Sequence, residues 1–114
     1  MLGGNRMAAT TNVQFRPIKV TNTDNIDIWV GQLSVSISST GTWLWYKCNF
    51  GRTLGAGKMK HVFIGVRHKS NVNSVNYKVG TLTDTYVEVG INTTGGGNHV
   101  IDVLVIVNNN VNYE

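Results

Sequence analysis

The sequence predicts an all-β domain, an antiparallel β-sandwich of jelly-roll type, and three observations carry that expectation. Short apolar–polar alternations recur along the 114 residues, broken by turn-forming clusters at a spacing of roughly 8–15 residues, as in sandwiches and jelly rolls. No window sustains the 3.6-residue period of a helix. Residues 98–107 read as a strand apolar on both faces, with Val100, Leu104 and Ile106 pointing one way and Ile101, Val103, Val105 and Val107 the other, interrupted by His99 and Asp102. Such a strand needs a layer on each side. In a chain this small the second layer is expected from another copy, with Ile101, Val103, Val105 and Val107 as the oligomer interface.

The elements follow in order. Residues 1–12 read as a flexible leader or linker remnant, the second methionine at Met7 marking 1–6 as an addition. The sandwich is expected over 13–107 and a polar tail over 108–114, beginning at the Asn108-Asn109-Asn110 run. Val13 to Val20 alternates until Pro17, which lacks a ladder donor and so predicts an edge strand. Thr21 to Asn25 is a polar turn. Ile26, Ile28 and Val30 alternate, then Leu33, Val35 and Ile37 alternate on the opposite parity, and Gly31 between them predicts a bulge or a change of sheet. After the turn Ser38–Gly41, Leu44, Tyr46, Cys48 and Phe50 share one face of the next strand while Trp43, Trp45 and Lys47 share the other. Gly51 to Lys60 is expected to be a mobile glycine loop. His61 to Arg67 follows as a strand with Val62, Ile64 and Val66 inward. A short segment around Val75, Tyr77 and Val79 ends at Gly80, and Thr83 to Ile91 alternates cleanly. Thr93 to Gly97 is a hairpin connection into the last strand.

Composition bounds the function. Ordering the chain costs roughly 1.5 kcal/mol per residue, and a domain this small buries only about two thirds of its unfolded surface, so burial in a subunit interface would add to a thin margin. Only 14% of residues are charged; Asn, Thr, Ser and Gly supply the surface, a texture of secreted, viral or envelope proteins. The single cysteine, Cys48, excludes a disulfide framework and a multi-cysteine metal site, and is expected as a buried thiol. The net charge of +4 and pI near 9.5 favour polyanionic partners. Basic residues are dispersed rather than run together, which argues against nucleic acid. No apolar stretch approaches about 18 residues, so no membrane insertion is expected.

Candidate chemistry is sparse. Gly51 to Lys58 resembles a phosphate-cradling loop, but Gly51 and Gly57 stand six positions apart where the motif needs five, and Met59 replaces the magnesium-binding Ser or Thr. His61 and His68 have opposite strand parity, so His61, His68 and His99 make no metal triad, and neither a metal nor a cofactor is expected. Asp84 and Glu88 lie about 13 Å apart on a continuous strand, too far for two-carboxylate glycoside hydrolysis. No Gly-x-Ser-x-Gly elbow occurs. Asp102, inside an apolar strand, is expected to be paired. Asn92-Thr93-Thr94 is a formal glycosylation sequon, read as an exposed turn. Trp43 and Trp45 with Lys47 form the most suggestive cluster: flat rings stack on sugars while a cation meets phosphate or carboxylate, although the same cluster suits an intersubunit or interdomain contact, or packing within the chain's own core. Lys58, Lys60, Arg67 and His68, with Lys69, form a basic patch suited to acidic cell-surface polymers.

The glycine-bearing lead-in, the all-β pattern over 13–107, the Asn/Thr/Gly-rich surface and the hydrophobic last strand together resemble the C-terminal head domain of bacteriophage tail-fibre or receptor-binding proteins. The likeness is one of pattern, with no motif that carries a functional residue across. It implies a homotrimer with the last strand facing a shared axis, host saccharide bound at or between subunits, contacts with other virion proteins, and a place on the virion surface or tail, or otherwise outside the cell. No coiled-coil or β-helical shaft is visible in the chain. The expected function is therefore non-enzymatic binding of host cell-surface saccharide or envelope polymer. The alternatives are a structural virion component, such as a capsid-decorating or tail protein, and a small carbohydrate-active enzyme.

Overall fold

A computed structural model describes residues 10–23, 25–66 and 75–114. Eight strands make up the domain: β1 (Thr11–Gln14), β2 (Ile18–Asn22), β3 (Ile26–Ile37), β4 (Leu44–Asn49), β5 (Lys58–Val66), β6 (Val75–Leu82), β7 (Tyr86–Thr93) and β8 (Gly97–Asn112). They form two four-stranded sheets. Sheet A has the order β1-β4-β7-β6 and sheet B the order β2-β3-β8-β5. The all-β sandwich is therefore observed, with every pairing antiparallel except β1 on β4, which is parallel.

The core is the layer between the sheets. Sheet A contributes Tyr46, Cys48, Val87, Val89 and Ile91, while sheet B contributes Leu33, Val35, Ile37, Ile101, Val103, Val105 and Val107. Ile101, Val103, Val105 and Val107 are at most 1% exposed within one chain, so the expectation that they form an oligomer interface is corrected. β7 and β4 supply the layer opposite them, and the parity is the reverse of the one expected. The face of β8 left half-buried is the one bearing Val100, Leu104 and Ile106.

Pro17 does more than mark an edge. The expected single strand from Val13 to Val20 breaks at Phe15–Pro17, and its halves pair into different sheets, β1 at one edge of sheet A and β2 at one edge of sheet B. Gly31, where a bulge or sheet change was expected, has neither: β3 pairs with β8 without a register shift from Ile26 to Ile37. The glycine instead makes room for Phe15, whose ring atom Cζ would lie 2.2 Å from a Cβ at that position. The apolar parity changes along β3 because the outer face of its first half, unlike that of its second half with Gln32, Ser34 and Ser36, is apolar. There the apolar residues Ile28 and Val30 face outward and Trp29 turns toward the core.

Two further boundaries move. The polar run from Asn108 belongs to β8, where Asn108 and Asn112 pair with Met59 and Lys58, so the expected tail is largely strand. The expected mobile loop from Gly51 is pinned: Leu54 is fully buried, its N–H donates to the Asp84 carbonyl at 2.8 Å, and the Lys58 N–H donates to the Gly55 carbonyl at 3.0 Å.

Candidate functional site

Strand alternation sends Trp45, Lys47 and Asn49 to the outer face of sheet A while Tyr46 and Cys48 enter the core. Cross-strand register completes that face. Trp45 lies opposite Gly90, Lys47 opposite Glu88 and Asn49 opposite Tyr86 on β7; Lys78 of β6 lies on the far side of Gly90, and Asn76 beside Asn92. The missing side chain at Gly90 explains the position of Trp45. A Cβ there would stand 2.9 Å from the indole six-membered ring, so the ring rests on bare β7 backbone and is only 4% exposed.

Trp43, just ahead of β4, is half-exposed and lies beside Trp45 with ring centroids 6.3 Å apart and planes inclined by 30°. The Lys78 ammonium sits 4.2 Å from the Trp43 centroid and 6.0 Å from that of Trp45. The Lys47 ammonium sits 4.2 Å from the Tyr86 centroid. Two cations are thus held on aromatic faces by quadrupole attraction, a contact worth about 0.5–1 kcal/mol at an exposed site. An ammonium so placed still has N–H donors to offer a ligand. Glu88, on the same face, is buried and accepts the Thr81 N–H at 3.2 Å. Sequence parity identified Trp43, Trp45 and Lys47 as one face. Lys78, Tyr86 and the amides of Asn76 and Asn92 were not singled out, because only cross-strand register brings them there.

The expected basic patch divides. Arg67 and His68, with Lys69, lie outside the described residues. Lys60 is no surface cation: its side chain is 3% exposed and paired with Asp84, and its ammonium also donates to the carbonyls of Gly55 at 2.7 Å and Lys58 at 2.8 Å. The Gly57 N–H donates to the other Asp84 oxygen at 3.0 Å. Hydrogen bonds from Lys60 and from the Gly57 amide hold the Asp84 carboxyl below its usual range. A liganding role for Lys60 is therefore corrected, since all three of its donors tie the glycine loop to the turn before β7. Lys58 bonds Asn112 Oδ1 at 2.9 Å and lines a cleft of about 400 Å³ with Thr83, Asp84 and Tyr113.

The histidines stay apart. His61 is exposed on the outer face of sheet B, whereas His99 is 1% exposed, with Nε2 3.0 Å from the Gly95 carbonyl oxygen and Nδ1 unpartnered among the described residues. No group of three metal-ligating side chains forms among the described residues. The sequon is not an exposed turn: Asn92 is half-buried in β7, and Thr93 is buried with Oγ1 bonded to Gly95.

The outer face of sheet B carries an apolar row beside polar positions such as Gln32, Ser34, Asp102 and His61. Register aligns Ile18, Val30, Leu104 and Phe63 in one row across all four strands, with Ile28 and Ile106 beside it. Ile18 is 70% exposed and Phe63 57%.

Neither a protein-family model nor a curated protein matches the chain. Among solved structures the fold matches an N-truncated R1-type pyocin tail fibre, with a TM-score of 0.57 and 14% identity over 92% of this chain and 92% of that one. The likeness is one of fold, and it agrees with the tail-fibre-like architecture expected from the sequence.

Proposed function

We propose that this domain is the receptor-binding head of a phage-type tail fibre and that it recognises host saccharide or envelope polymer on the outer face of sheet A. The observation that carries the reading is the half-exposed Trp43 ring beside Trp45, with the Lys78 and Lys47 ammonium groups fixed on neighbouring rings. Aromatic faces pack against the C–H faces of sugars, and fixed donors meet hydroxyl or anionic oxygens. The tail-fibre fold supports this setting, and the place of action is the virion tail or surface. The function is binding rather than turnover. A glycan array probed with the wild type and with Trp43→Ala tests it: the wild type binds a defined saccharide subset and the variant loses it. An array showing no saccharide preference overturns the reading.

A second reading, a structural fibre component, is favoured by the apolar row Ile18–Val30–Leu104–Phe63. A contiguous apolar patch on a sheet face marks an association surface, and its occupant in this reading is a second copy of the chain, in a homotrimer. Light scattering at micromolar concentration tests it, with three times the 12.5 kDa protomer mass expected and a stable monomer overturning it. The two readings are compatible, because their surfaces lie on opposite sides of the sandwich.

A further inference from the structure

A second polar feature lies on the sheet A side, at the end of β1. A cleft of about 320 Å³ is lined by Asn12, Val13, Gln14, Phe15, Arg16, Asn49 and Gly51. Its volume is at the lower end of ligand-sized pockets, about 300–1,000 Å³. The lining combines three side-chain amides with one guanidinium and includes no carboxylate.

Arg16 is exposed, yet its backbone stands between Phe15 and Pro17, both buried. The guanidinium is therefore presented from an anchored point, which lowers the entropy lost when it grips a ligand. A planar fork of donors suits carboxylate or phosphate oxygens. Asn49 Nδ2 lies 3.5 Å from Asn12 Oδ1, so these two amides hold each other at the cleft wall. β1 is the outermost strand of sheet A, and its far side carries no pairing strand among the described residues, so backbone N–H groups along that edge add donors.

The cleft meets the outer face of sheet A at Asn49. Asn49 is four residues beyond Trp45 on the same face of β4, about 13 Å away along the strand. Lys47 stands between them, with Asn12 opposite it on β1. Glu88, the carboxylate that shares this face among the described residues, is buried and bonded to the Thr81 amide. From platform to cleft the charges are thus Lys78 and Arg16, both exposed, with the half-buried Lys47 between them.

We propose that the cleft lined by Asn12, Gln14, Arg16 and Asn49 is a second subsite, holding an anionic unit of the same polymer whose neighbouring units lie on the Trp43 platform. This rests on the reading of the sheet A face as the saccharide surface. The shared chemistry is a carboxylate or phosphate group on a polyhydroxylated chain. Joining two weak subsites through one polymer raises the local concentration for the second contact, so affinity grows with oligomer length until both are filled.

The test uses titration calorimetry with oligogalacturonates of two to six units, their methyl esters, and glycerol-phosphate oligomers of matched length, at low and physiological salt. The longer anionic oligomers are expected to bind more tightly than the dimers and than the neutral esters, with affinity falling as salt rises. Whichever anionic series binds identifies carboxylate or phosphate as the group read. Arg16→Gln is expected to weaken the longer oligomers about tenfold, the size of one charged hydrogen bond, with little effect on dimers. Arg16→Lys recovers only part, and Asn49→Asp weakens binding by adding a repelling charge. If Arg16→Gln and Asn49→Asp leave affinity unchanged while Trp43→Ala removes it, the platform stands and the cleft is no subsite. If neither anionic series binds at low salt, the proposal is overturned. If Arg16→Gln removes binding and Trp43→Ala leaves it intact, the shared-polymer geometry is overturned together with the platform reading.

Discussion

Cys48 sits fully buried between the sheets, and burial pushes its thiol up to about 12. The native protein should resist thiol-modifying reagents at pH 8 and react only through unfolding, which mass spectrometry across a urea series would show. The sign of the associated pH effect is fixed. The unfolded thiol ionises from about 8.5 upward while the folded one stays protonated, so stability falls as pH rises through that window. Asp84 works in the opposite direction. Its carboxyl is held below the usual range by Lys60 and the Gly57 amide, so the stability it contributes is present above about pH 4 and is lost as pH falls through the lower folded value. Denaturation midpoints measured from pH 6 to pH 2 should decline less steeply in Asp84→Asn than in the wild type. Lys60→Met should cost about 3 kcal/mol, because it leaves a paired carboxylate and two carbonyls without their donor; urea unfolding at pH 7 measures it. His99, with Nε2 bonded and Nδ1 unpartnered among the described residues, is buried on the inward-facing side of β8. Only the fold reveals its burial, since a histidine in a strand sequence looks the same on either face.

At the scale of elements, two glycines act through the rings that cover them. Phe15 fills the space over Gly31 and Trp45 the space over Gly90. Gly31→Ala and Gly90→Ala should each cost about 1–3 kcal/mol through overpacking, read as a lower urea midpoint at unchanged slope. Most strands were legible because period-2 alternation reports directly which side chains are buried. Val87, Val89 and Ile91 illustrate this, as do Leu33, Val35 and Ile37. The turn before β3 was legible from its polar residues, and Thr23 Oγ1 indeed accepts the Ile26 N–H at 2.9 Å. Gly31 and Pro17 show where local reading stops. A parity change has the same sequence signature whether a strand bulges or merely carries apolar side chains on its outer face. Whether a proline ends a strand or carries it into another sheet depends on partners far away in the chain. Lys60 misled for a similar reason: its partner Asp84 is distant in sequence, so the lysine looked like one more surface charge.

For the whole molecule, the double-faced last strand pointed to a layer on each side, whereas sheet A covers one face and the other is the half-buried outer face of sheet B; alternation alone does not say which parity faces inward. Both faces of β8 are apolar, and the choice was made by the register of β3 and β5 beside it and by β7 across the core. In the proposed homotrimer the row through Leu104 and Phe63 takes the interface role first given to Ile101 and its neighbours. Phe63→Glu, at a side chain already 57% exposed, should leave the fold intact and shift the mass in light scattering toward the protomer. Circular dichroism of the same sample checks that the strands remain. The tryptophan pair was legible from spacing, whereas its cationic partner Lys78 and the arginine cleft were not, since they are assembled by register and by the chain's passage around one end.

That passage has a consequence for the way the two halves stay together. Phe15 plugs the space over Gly31 while the strands on either side of it are sewn to opposite layers, so this short stretch is a clasp joining them. Deleting residues 1–16 would strip one border from sheet A, bare the flank of β4 to any passing strand, and leave a hole in the interior. A shortened protein of this kind should polymerise edge to edge before it loses its remaining strands.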